Sequence, residues 1–320
     1  MQHYLFKMSS PHPLSSGRTW SELFSKRVPQ MALEHDNVLY GLLALASSNL
    51  SRLEPDNAEL FTAKQGYLIS AIREQRKMTS SLSVDNADAV CFASLLLLTH
   101  SWSALQERPI EPYSPPLEWL KMGCGMGTLV FLSLDTIMSA PEEKKAASSL
   151  MHIAQSYPFN CPANESFFAP ELRDRFRGVL TQKIPSNDTW DHETREAYEK
   201  ALSYIGSIQS AIDKGEPMYV TYRRVQCFAV FVPRRFIDLA EEQRPRALVI
   251  LAHFFAAVCQ LPSIWWTGDG EGDSEPTSKR EIRAISGVLP AEWQSQLIWP
   301  LDMAEIDLGL RLGPRIGVTA

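Results

Sequence analysis

The chain has 320 residues, 45% of them hydrophobic, with 31 Lys and Arg against 37 Asp and Glu and a formal net charge of −6. That length and apolarity can bury a large core, which excludes a disordered segment or a small disulfide-stapled scaffold. The acidic balance excludes a chain that grips nucleic acid by itself, because phosphate contacts need a clustered excess of Lys and Arg that pairs such as Arg223-Arg224 and Arg234-Arg235 do not supply. The five cysteines, Cys91, Cys124, Cys161, Cys227 and Cys259, are far apart and lack CxxC spacing. They read as reduced core thiols with no zinc cluster. The start, Met1-Gln2-His3-Tyr4-Leu5-Phe6-Lys7, lacks the basic start and apolar run of a secretory signal, so the expected location is nucleus or cytoplasm. The sequons at Asn49, Asn164 and Asn187 then read as chance.

Helical periodicity dominates from the amino terminus onward. Asp36 is placed to cap a helix starting near Val38, which stays apolar on nearly all sides to Leu50. After Pro55, Asp56 is the expected N-cap of an amphipathic helix with Leu60, Phe61, Tyr67, Leu68, Ala71 and Ile72 on one stripe. Residues 87–105 form a second segment apolar all round. Past Pro115-Pro116 a helix carries Leu117, Trp119, Leu120 and Met122, with Gly123, Gly125 and Gly127 marking a kink or the close approach of a neighbour. From Trp190 to Ile212 the residues Tyr198, Ala201, Leu202, Ile205, Ile208 and Ile212 share a face, and Lys214-Gly215 is the stop. The strand signals are few: 218–225 and 227–232 are β-branched and aromatic, without a hairpin turn or an alternating partner. Residues 247–261 are the third all-apolar segment. They are shorter than the roughly 20 residues of a membrane span and carry His253 and Gln260, so they read as a core helix.

These elements predict an all-α fold of packed antiparallel helices. Breaks fall at 107–116, 156–170, 182–187 and at the acidic loop 267–276, and apolar helices flank each of them, so residues 1–320 are expected to form a single domain with no membrane span. No fixed-period repeat is present.

Chemical motifs are sparse. Gly123-Cys124-Gly125-Met126-Gly127 follows a helix and not a strand, which removes a nucleotide loop. His192 and Glu196 have chelating spacing but no third ligand, and read as a solvated helical face. No hydrolase elbow, zinc-protease signature or Walker loop occurs, and neither a metal nor a cofactor is expected. The distinctive content is aromatic and Met. Most of it must be core, yet helical domains also enclose apolar ligands between helices. The expected lining is Phe92, Leu96, Trp102, Met126, Phe131, Phe228, Phe231, Phe254, Trp265 and Trp266, with His100 and His253 as polar handles.

In the last third, Val232-Pro233-Arg234-Arg235-Phe236-Ile237-Asp238-Leu239, then Arg244-Pro245-Arg246-Ala247 running to Phe254, Trp265-Trp266, 282–289, Trp293 and Trp299-Pro300 resemble the regulatory domain of fungal zinc-cluster transcription factors of the sterol-uptake-control type. Met1-Gln2-His3-Tyr4, Trp20, Val28-Pro29, His35, Leu42-Leu43-Ala44-Leu45-Ala46, Leu50, and Asn86-Ala87-Asp88-Ala89 leading into Ser94-Leu95-Leu96 extend the resemblance over nearly the whole chain. It implies an all-helical domain that dimerises and, in sterol-responsive members, binds a sterol in an apolar pocket. The chain departs from the pattern in lacking the zinc cluster and in the acidic stretch from Gly268 to Glu275, where a short apolar connection is expected. The leading expectation is therefore a ligand-sensing transcriptional regulatory domain for a sterol, terpenoid or similar apolar molecule. Its expected partners are a second copy or a zinc-cluster regulator, without direct nucleic-acid binding. The alternative is a stand-alone, cofactor-independent cyclase or isomerase of fungal secondary metabolism, with His100, His253 and Trp102 as its first candidates.

Overall fold

The computed structural model describes residues 1–8, 22–156, 170–182, 190–262, 264–267 and 275–306. Among them there is no strand, and the class is all-α. Cys161, Trp20, the sequons at Asn164 and Asn187, residues 268–274 of the acidic loop and most of the breaks at 156–170 and 182–187 lie outside the described residues.

A π-helical turn, Tyr4–Met8, and a second, Leu23–Arg27, precede helix α1, Val28–Glu34. Helix α2 is Asp36–Leu53 and α3 is Ala58–Ser80, packed as a hairpin. The capping positions differ from expectation by one residue each. Extended His35 precedes α2, so Asp36 lies in its first turn and does not cap it. Asn57, and not Asp56, caps α3 by accepting from the Leu60 N–H at 3.0 Å. The expected stripe on α3 is rotated as well. Phe61 is 52% exposed, while Lys64, Ala71 and Gln75 face inward. Polar residues occupy that face because the neighbour offers backbone carbonyls. Gln75 Nε2 donates to the Val90 carbonyl at 2.9 Å and to Ser94 Oγ at 2.8 Å, and buried Asn37 donates to Gln75 at 2.8 Å.

Helix α4, Ala87–Ser103, is buried on every side. It is followed by α5, Leu117–Met138, which runs unbroken through its glycines, so close approach and not a kink explains Gly123 and Gly127. A Cβ on Gly123 would lie 2.4 Å from the Ala229 Cβ and 2.5 Å from its carbonyl carbon, whereas Gly125 has nothing within 4 Å. Short helices α6, Glu142–Ala147, and α7, Ser149–Ser156, then α8, Pro170–Thr181, lead to α9, His192–Asp213. Helix α9 buries the expected face and ends before Gly215 at φ 62°. The strand-like segment is one helix, α10, Met218–Phe231, because it packs between α5 and α9, and tertiary packing outweighs the weak β preference of its residues.

The remaining helices are α11, Arg234–Glu241, α12, Pro245–Cys259, α13, Thr277–Val288, and α14, Ile298–Met303. Helix α12 is buried along its length. Two other helical stretches, Ala87–Gln106 and Leu117–Met138, are long and apolar enough to cross a membrane. The first is 78% buried within the fold, as a core helix must be, and the second 39%.

The buried apolar residues divide into two cores. The larger is built around α12 and an aromatic cluster: Phe254 stacks on Phe228 at 4.1 Å, and Trp102 meets Trp119 edge-on at 4.5 Å. The smaller joins the amino-terminal turns to α1, α2 and one face of α4. Between α3 and α4, buried Lys64 pairs with Glu107 at 2.7 Å. Nearby His100 is held neutral: burial first, then the Lys64 charge, pushes its pKa down from 6.5 to about 4, against an opposing pull from Glu107.

Two outcomes follow from this packing. Gly123→Ala forces backbones apart and is expected to lower unfolding stability by about 2–3 kcal/mol in urea titration, whereas Gly125→Ala gains up to about 1 kcal/mol of helix propensity. For His100 the unfolded chain takes up a proton first on acidification. Its contribution is complete above about pH 6.5 and is lost as pH falls toward 4, by at most about 3 kcal/mol. The stability difference between the native chain and His100→Gln, measured across that window, should shrink with falling pH; a pH-independent difference would refute the assignment.

Candidate apolar cavity

The two cores do not meet everywhere. A partly enclosed cavity of about 100 Å³ lies between them, and α4 is its spine. Ala89, Phe92, Ala93 and Leu96 of α4 face the smaller core, and Ala87, Cys91, Leu98 and Trp102 face the larger. Two seams therefore run along the helix. The seam carrying Val90 and Ser94 is closed by the Gln75 side chain of α3. The opposite seam, carrying Leu95 and Thr99 and edged by Cys91, Phe92 and Leu96, lines the cavity.

The walls come from both sides. Tyr4, Met8, Phe24 and Leu45 belong to the amino-terminal layer. Met126 and Val130 of α5, Leu150 of α7, and Tyr219, Arg223, Gln226 and Cys227 of α10 close the other side. The Tyr4 hydroxyl donates to the Phe24 carbonyl at 3.1 Å, tying the two π-helical turns together, and burial raises its pKa. Trp265 completes the lining, its carbonyl accepting from the Arg52 guanidinium and from Gln106 Nε2 at 3.1 Å. That carbonyl thus links α2 to the segment after α4.

The lining is mostly apolar, with a narrow polar strip. Gln226 Nε2 donates to Thr99 Oγ1 at 2.9 Å, and Thr99 Oγ1 donates to the Leu95 carbonyl at 2.9 Å. Cys91 and Cys227 are free thiols in the wall, pushed up by burial to about 12 and about 11 and therefore protonated at neutral pH. Arg223 pulls the Cys227 value partly back, which places its positive charge near that thiol. Among the described residues no group of three or more His, Cys, Asp or Glu could hold a metal ion. The cavity can shelter a small apolar body and offer hydrogen bonds along one edge.

Of the residues expected from sequence to form a ligand site, the structure brings Phe92, Leu96, Met126 and Trp265 into this lining. Trp102, Phe228, Phe254 and Trp266 pack against one another and against Trp119 in the aromatic cluster, with Trp102 and Trp266 edge-on at 5.8 Å. Phe231 packs at the margin against Tyr204 at 5.6 Å, and Phe131 is 59% exposed on the outer face of α5. His253 lies between Phe176 and Trp299, with Nδ1 2.9 Å from the Val249 carbonyl. His100 is buried beside the Lys64–Glu107 pair. The amino-terminal wall and the strip on α10 escaped sequence reasoning. The signal for the latter is the spacing of Tyr219, Arg223 and Gln226, four and three apart, which becomes a single face once 218–231 is read as helix.

Residues 1–107, which include the amino-terminal wall, α2 and α4, match the family described as fungal specific transcription factor domain. The chain is 28% identical over 260 residues to the Zn(2)-C6 fungal-type transcription factor afumD of Aspergillus fumigatus, covering 80% of this chain and 65% of that protein. It is 23% identical over 323 residues to a Zn(2)-C6 fungal-type transcription factor of Gibberella zeae, covering 96% of this chain and 61% of the relative. The chain thus spans a little under two thirds of each of these relatives, and its similarity is to fungal transcription factors.

Proposed function

We propose that this chain is a ligand-sensing regulatory domain of a fungal transcription factor, working in the nucleus and taking a small apolar molecule in the cavity between its two cores. The observation that carries this reading is the position of the cavity. A ligand shifts a conformational equilibrium only through different affinity for the two states. A guest held by Tyr4, Met8 and Leu45 on one side and by Val130 and Gln226 on the other binds differently whenever the cores move relative to each other. The similarity to named transcription factors supplies the output, and the net charge of −6 makes DNA contact the task of another module or of a zinc-cluster partner.

The volume narrows the guest. An engineered cavity of about 150 Å³ admits benzene, so about 100 Å³ is tight even for an unsubstituted ring and suits a short branched chain, and a sterol would need the seam to open much further. His100, His253 and Trp102 lie outside the lining among the described residues.

The test is a fusion of the full chain to a heterologous DNA-binding module driving a reporter, alongside thermal shifts of the isolated chain with small apolar compounds. A true ligand at 100 times its Kd should stabilise the chain by about 2.7 kcal/mol and change reporter output. Val130→Phe, which fills the cavity, should abolish both responses and leave the chain folded. Reporter output and melting temperature indifferent to every compound tested would refute the proposal.

A further inference from the structure

The polar strip of the cavity is a relay with a fixed direction. Thr99 Oγ1 has a single hydrogen and donates it to the Leu95 carbonyl at 2.9 Å. Toward Gln226 the same hydroxyl can then only accept, so the amide turns Nε2 to it, at 2.9 Å, and keeps Oε1 as its acceptor. Gln226 lines the cavity and is 7% exposed, and its Oε1 takes no hydrogen bond among the described residues. A buried carbonyl oxygen left without a donor costs about 1–3 kcal/mol. A guest that brings a donor removes that cost, whereas a hydrocarbon or an ether leaves it in place.

We propose that the guest of this cavity is a small branched-chain alcohol whose hydroxyl donates to Gln226 Oε1. This rests on the reading of the cavity as a ligand site and adds the chemical class. The volume of about 100 Å³ suits a short branched chain, and that apolar body packs against Phe92, Leu96, Met126 and Val130. A neutral hydroxyl suits the wall better than a cationic amine, because the Arg223 charge that acts on the Cys227 thiol repels an ammonium group entering beside it. The oxygen of the guest hydroxyl can in turn accept from the second hydrogen of the Gln226 amide, or from the thiols of Cys91 and Cys227, which burial keeps protonated. Thr99 stands on α4 and Gln226 on α10, so the hydroxyl is read at the contact between two helices.

Isothermal titration of the full chain with isopentyl alcohol, its isomer isobutyl methyl ether, and isovalerate tests the class. The alcohol and the ether contain the same atoms and differ chiefly in the donor. The alcohol is expected to bind about tenfold to hundredfold more tightly than the ether, and Gln226→Met to close that gap by weakening the alcohol while leaving the ether unchanged. The comparison of the two guests on the native chain needs no variant, so it stands even where Gln226→Met folds poorly. Thr99→Val, which frees the amide to turn, should narrow the gap in part. The ether binding as tightly as the alcohol, isovalerate binding more tightly than the alcohol, or Gln226→Met weakening both neutral guests alike overturns the hydroxyl while leaving the cavity as a ligand site. Failure of all three to bind a chain that circular dichroism shows to be folded overturns the ligand site itself.

Discussion

Helix α4 turns almost no surface to water. An apolar helix of this kind is stable only when it is covered all round, and no single layer of helices can wrap it. The chain covers it twice, with α2 and α3 on one flank and with α5, α10 and the short turn Trp265–Thr267 on the other. Both cores, both seams and the cavity descend from that requirement. One seam is closed by Gln75, a polar residue able to bond the α4 backbone; along the other the two coverings stop short of each other.

The larger core shows what closure looks like when aromatic rings are available. Trp102, Trp119, Phe228 and Phe254 interleave in stacked and edge-on pairs, each contributing about 0.5–1.5 kcal/mol beyond simple burial, and they leave no room for a guest. The seam mixes the aromatics Tyr4, Phe24, Phe92, Tyr219 and Trp265 with Leu, Met and Cys side chains, of which Met adapts its shape most readily. Ring-on-ring packing therefore marks the closed part of this protein, and the cavity lies where the aromatic residues no longer interleave with one another.

This division explains what could be read from sequence. Helices α4, α9 and α12 were legible because their periodicity or unbroken apolarity reports burial directly. Residues 218–231 were ambiguous because β-branched residues favour strands until packing between two helices overrides them. Within the cavity, Phe92, Leu96, Met126 and Trp265 were legible as large apolar residues, but nothing local distinguished them from Phe228 or Phe254, which fill the core. The bond from Gln226 to Thr99 joins residues 127 positions apart, and such a pairing leaves no trace in either neighbourhood.

Because Gly123 lets the backbones of α5 and α10 touch, no side chain stands between them that could rotate or be trimmed to make space. The wall bearing Val130, Arg223 and Gln226 is an anvil of fixed shape. Compliance is left to the opposite jaw, where Tyr4, Met8 and Phe24 ride on two five-residue π-helical turns. On the proposed reading, a differently shaped guest is met by movement of those turns and not by repacking of the glycine face of α5, so adaptation and rigidity sit on opposite sides of one cavity.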